Sequence, residues 1–132
     1  MPTLLEAAGV PVPASVKGKS VLPMLTDAKA REQWPNAELI QISESMTGRA
    51  IRTREWCYCV ADRDPASTKK PGSATYDEYQ MYDEGADPYE LTNLAGRKEY
   101  RAKADELGER LKKLIVAAGE PEPQIRPATL YP

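Results

Sequence analysis

Between Gln80 and Gly96 the sequence reads QMYDEGADPYELTNLAG, so Asp83, Glu84, Asp87 and Glu90 place four carboxylates within eight residues. Such a group can ligate a hard cation, share a proton as an acid/base pair, or organise a turn. A calcium loop needs oxygen ligands at alternate positions and a closing bidentate acid, which this spacing does not reproduce. Asp87 before Pro88, with Glu90 three residues on, matches instead an N-cap, a proline at the first helical position and the reciprocal glutamate of a capping box. These carboxylates are expected to start a helical turn whose Leu91 and Leu94 tuck onto the core. Asp83, Glu84 and Gly85 then make the turn that leaves a strand. An enzyme built on the acids between Asp77 and Glu90 would need a carboxyl with a shifted pKa in a pocket, and capping already accounts for Asp87 and Glu90.

The chain has no histidine. That removes the commonest general base, the usual partner of a serine or cysteine nucleophile, and the commonest metal ligand. Its two cysteines stand in WCYCVAD, where alternation predicts a strand with Cys57 and Cys59 on one face. Adjacent positions of that kind are poorly placed for a disulfide. A structural zinc would want two more thiolate or imidazole ligands, which the sequence does not offer, so the pair reads as buried strand thiols.

Composition bounds the rest. A chain of 132 residues can bury a core without staples. The formal charge of -2 and the lack of any basic, aromatic-rich segment argue against nucleic acid. No run approaches the ~20 apolar residues of a membrane span. Residues 1–16 lack the features of a secretion signal, so the sequence as written is expected to be cytoplasmic.

The elements that position these residues follow from periodicity. PTLLEAAG predicts a short helix, with Thr3 and Glu6 at capping-box spacing and Gly9 as its left-handed end. A proline-rich connector follows, with Val21, Leu22 and Leu25 as its contacts. LIQISES, GRAIRT, WCYCVAD and YDEYQMYD read as an antiparallel meander of about four strands, with a polar loop carrying Lys69 and Lys70 before the last. Tyr100, Ala104, Leu107, Leu111, Leu114, Ile115 and Ala118 form one stripe of a helix over residues 98–118, closed by Gly119. The expected fold is a single α+β domain: helix and connector over 1–37, strands over 38–83, capped turn and long helix over 87–119.

Taken in order, PTLLEAAGVPVP, GKSVLPML, GRAIRTREWCYCV, YQMYDEGADPYELTNLAG and the closing helix resemble the C-terminal region of sulfatases of the alkaline phosphatase superfamily. Cys57 stands where such sequences usually carry lysine. The resemblance implies hydrolysis of sulfate esters or sulfamates by a formylglycine, made from a C/S-x-P-x-R motif, beside a bound calcium. No Cys or Ser here begins that motif, so both groups are expected only in a large N-terminal catalytic domain outside this sequence. The carry-over is of fold, with no catalytic residue assigned to this chain.

The resemblance also implies that hairpins of the small sheet reach the rim of the substrate cleft. In SESMTGR the polar groups that could meet a sulfated substrate are Ser45, Thr47 and Arg49, although an ordinary hairpin with a solvated arginine is the plainer reading. The expected role is a sulfatase-related C-terminal domain that is not catalytic alone. The alternative is an assembly module that pairs with itself as a homo-oligomer or completes a catalytic sulfatase domain in trans.

Overall fold

The computed structural model describes residues 1–131 apart from the Lys69 side chain, so half of the lysine pair lies outside the described residues. The chain divides into two compact units, Met1–Pro35 and Asn36–Pro132.

The first unit holds three short helices, α1 (Pro2–Ala7), α2 (Leu22–Thr26) and α3 (Ala28–Gln33). The capping box expected of Thr3 and Glu6 does not form. Pro2, with its φ preset, takes the first helical position, so the N-cap is Met1 and Thr3 already lies within the first turn. Its hydroxyl oxygen instead accepts the Val21 amide at 3.1 Å, and Glu6 is exposed. Gly9 closes α1 with φ +68°, as expected. The Gly9 amide reaches the Glu6 carbonyl at 3.0 Å and the Val10 amide the Leu5 carbonyl at 2.8 Å, the paired bonds of a Schellman ending. Within the expected connector, Val21 and Leu25 are exposed. Asp27 starts α3 by accepting the Lys29 amide at 2.8 Å.

The second unit is a five-stranded sheet in the order β1 (Glu38–Ile42), β2 (Thr47–Arg52), β3 (Trp56–Asp62), β4 (Thr75–Asp83) and β5 (Gln124–Arg126). The first four strands form the expected antiparallel meander. β5 adds a parallel edge to β4, which makes the sheet mixed. The chelate of Arg126 on Asp77, at 2.6 and 2.8 Å, ties this three-residue strand down.

Cross-strand register puts Leu39, Ile51, Tyr58 and Met81 in one row. The helix α4 (Arg101–Ala117) covers that row with Ala104, Leu107, Leu111 and Ile115, all buried as the stripe predicts. A side chain at Gly108 would bring a Cβ within 3.4 Å of the Tyr58 hydroxyl, so glycine there permits the close approach of helix and sheet. Gly119 ends the segment with φ +96°.

The helical turn expected at Asp87 is absent. Asp87 accepts the Thr92 amide through Oδ2 at 2.7 Å, spanning a wide turn, and Glu90 takes a left-handed backbone with φ 54°. Glu90 therefore cannot return to the Asp87 amide as a capping glutamate does. Leu94 is buried, while Leu91 is 81 % exposed.

Candidate functional site

The β1–β2 hairpin does not present the three expected polar groups together. Ser45 is exposed. The Thr47 side chain is fully enclosed, its hydroxyl donating to the Ser67 carbonyl at 2.6 Å. Arg49 is the clearest departure from a solvated rim residue, because its guanidinium is fully committed. It chelates Glu120 at 3.0 and 2.8 Å, and donates to the carbonyls of Pro71 at 2.6 Å and Gly48 at 2.7 Å. Strand alternation explains the correction: Thr47 and Arg49 share the Ile51 face of β2, which turns inward beneath α4 and the segment carrying Glu120. Both side chains are thereby enclosed in this fold.

The opposite face of the sheet gathers the chemistry. There Cys57 faces Arg52 across the β2–β3 ladder, and Cys59 faces Ala50. Both thiols are free, on one face as their spacing predicts, with Sγ atoms 3.7 Å apart. Arg52 reaches across the end of the sheet to Glu84 at 2.6 Å and to Glu90. Glu90 is aimed there by its left-handed backbone. Glu84 is held by the donation of its amide to the Glu55 carbonyl at 2.8 Å.

The Glu84 side chain is only 8 % exposed, and its Oε1 is buried without a hydrogen-bond partner. Burial raises the Glu84 carboxyl above the ordinary glutamate value, more than Arg52 lowers it, and the neighbouring Glu90 adds to the rise. The Cys57 thiol is lowered, first by its hydrogen bond with Cys59 and further by Arg52 against the opposing effect of burial, whereas Cys59 is raised by the same bond and by burial.

Cys57, Glu84 and Glu90 place their ligand atoms within 4.8 Å of one another. They do not fit the calcium of a sulfatase centre. Calcium takes six to eight oxygens, whereas here a thiol supplies one donor and a guanidinium already takes one oxygen of each carboxylate, which leaves too few oxygens. By spacing alone Glu84 reads as a turn residue and Arg52 carries no role. The signal that could have found them is register, since the short turn between β2 and β3 brings Arg52 opposite Cys57. Beside this cluster Ile40, Ile42, Met46, Ala50 and Gln80 line a shallow groove, with Ile40 and Ile42 45 % and 48 % exposed.

The fold and this site define a sheet-and-helix module that carries no sulfatase nucleophile motif. Over residues 1–117 the chain matches the family described as N-sulphoglucosamine sulphohydrolase, C-terminal, and it belongs to that family. It is 28 % identical over 131 residues to an N-acetylglucosamine-6-O-sulfatase of Bacteroides thetaiotaomicron, covering 98 % of this chain and 23 % of that protein. It is 32 % identical over 102 residues to mouse arylsulfatase K, covering 71 % of this chain and 17 % of that protein. Among solved structures it resembles, with a TM-score of 0.70 and 29 % identity, a protein in complex with its substrate D-glucosamine-2-N,6-O-disulfate. That match covers 92 % of this chain and 24 % of the other. The chain thus spans about a quarter or less of the relatives it matches, and the expected sulfatase C-terminal region is what it is. No helix among the described residues is long and apolar enough to cross a membrane.

Proposed function

We propose that this chain serves a sulfatase acting on sulfated amino sugars, contributing scaffold and part of the cleft rim while a catalytic domain supplies the reacting groups. The observation that carries this reading is the family match along residues 1–117, combined with a sequence in which no Cys or Ser begins C/S-x-P-x-R. The substrate class rests on the similarity to an N-acetylglucosamine-6-O-sulfatase and to a structure solved with a disulfated glucosamine. The catalytic domain belongs to the same longer protein or to a partner chain, and it meets this module through the sheet face opposite α4, around Ile40 and Ile42. Those exposed apolar side chains, next to the groove at Ala50 and Gln80, are the groups a partner surface would remove from water. Ser45, exposed at the hairpin tip, is the remaining rim candidate.

Co-expression of this chain with a catalytic sulfatase domain tests the proposal. Sulfate release from a glucosamine 6-sulfate is expected from the pair and not from this chain alone. Light scattering should show a one-to-one complex. Release by the isolated chain, or a homodimer that excludes the catalytic domain, would overturn it.

A further inference from the structure

The buried Glu84 Oε1 without a partner, beside two thiols and a second carboxylate, is not explained by the role proposed above. We propose that Cys57, Cys59, Glu84 and Glu90 form a binding site for a thiophilic divalent cation of the Zn2+ type.

The thiol spacing supports this first. Two thiolates on one tetrahedral zinc, each at about 2.3 Å, lie roughly 3.8 Å apart. The Cys57 and Cys59 sulfurs already stand at 3.7 Å. An i, i+2 pair on a flat strand is normally held wider than this, and the register irregularity between Cys59 and Val60 marks where the strand departs from flatness. Zinc accepts carboxylate oxygens as well as sulfur, so the absence of histidine does not leave it short of ligands. Glu84 and Glu90 come from the loop after β4 and lie within 4.8 Å of the Cys57 sulfur, and Cys59 joins this group through its 3.7 Å approach to Cys57.

Charge is the second support. With both thiols protonated, the two carboxylates and Arg52 sum to a net charge of -1. Coordination forms two S–Zn bonds and releases the two thiol protons to solvent, so a divalent ion replaces two protons and the local charge is unchanged. Arg52 keeps Glu84 Oε2 and Glu90 Oε1, and the unpartnered Glu84 Oε1 is the oxygen left for the metal. A partly exposed Cys59 and Glu90 at the rim open a path for entry. Hard cations gain nothing from the thiols, which sets the selectivity.

The test is a titration of the full chain, reduced with a phosphine, with Co2+ and then Zn2+ in weak buffer. One equivalent of Co2+ is expected to give a thiolate-to-cobalt charge-transfer band and the intense visible bands of a tetrahedral site, with two protons released per metal. Zn2+ should displace it. Cys57→Ser and Cys59→Ser are expected to abolish the charge-transfer band, and Glu84→Gln to weaken binding at least tenfold with an unchanged circular dichroism spectrum. Because Cys57 is buried and its variant can misfold, Glu84→Gln and the rim variant Glu90→Gln provide independent checks. No charge-transfer band in the reduced chain, a band that survives Cys59→Ser, or carboxylate variants that bind like the parent would overturn the proposal. None of these readouts depends on sulfate hydrolysis.

Discussion

Under α4, Glu78 accepts the Tyr58 hydroxyl at 2.9 Å, the Ala128 amide at 2.8 Å and the Arg101 guanidinium, and Arg49 spends its donors on Glu120 and three backbone carbonyls. On the opposite face Glu84 keeps one buried oxygen without a partner, and two free thiols lie side by side. Both faces bury charge, but only the first satisfies it. A buried polar group that is fully hydrogen-bonded locks one arrangement, whereas one left short is either a cost to stability or a place for something else to bind. The covered face is therefore architecture, and the open face is where binding is to be sought.

The widest separation between the faces is expected in side-chain truncations. Leu111→Ala removes a fully buried side chain from the helix stripe and is expected to cost about 2–5 kcal/mol in urea unfolding. A loss below about 1 kcal/mol would mean that α4 is not the main cover of the sheet.

Next in size is Glu78→Gln, expected to cost roughly 1–3 kcal/mol by removing the buried counter-charge of Arg101 and leaving it only the exposed Asp105. Burial pushes the Glu78 carboxyl up, but Arg101, the Ala128 amide and Tyr58 outweigh it and hold the group below the ordinary value of 4.5. Its contribution is therefore complete above about pH 4.5 and lost as pH falls through the lower folded value. Urea midpoints measured down that range should drop for the parent and flatten for Glu78→Gln.

Glu84→Gln should behave with the opposite sign. The Glu84 carboxyl is raised in the fold, so its contribution is fully present below the unfolded value and is lost as pH rises through the folded one. At neutral pH the substitution is expected to be neutral or slightly stabilising, within about 0.5 kcal/mol. A loss as large as that of Glu78→Gln would erase the distinction between the faces.

The smallest expected effect is that of Ile40→Ser, within about 0.5 kcal/mol in the isolated chain because Ile40 is already 45 % exposed. Calorimetry against a catalytic domain should reveal the same change as a loss of affinity, if that face is where the domain sits.

Much of the fold was legible because it rests on local repetition. The three- and four-residue steps of Ala104, Leu107, Leu111 and Ile115 imply a covered helix face, and alternation in WCYCVAD implies same-face thiols. The misreadings share a different origin. Asp87, Pro88 and Glu90 carry capping-box chemistry, but the same groups also suit a wide turn. The choice fell to Arg52, which is 38 positions from Glu90 in sequence and draws its carboxylate away. Arg49 looked solvated because nothing near it in sequence announces Glu120, 71 positions on. β5 leaves no signal in the sequence because three residues among prolines give no period to read.

By itself the sequence determined the family, the helix stripe, the meander and the lack of a sulfatase nucleophile motif, since each depends on residue types and short spacings. Only the tertiary structure decided which face of the sheet α4 would cover, and with that the burial of Thr47 and Arg49 and the meeting of Cys57, Glu84 and Glu90. Strand alternation divides residues into two sets with equal clarity, but which set meets the core is settled by the packing of segments distant in sequence.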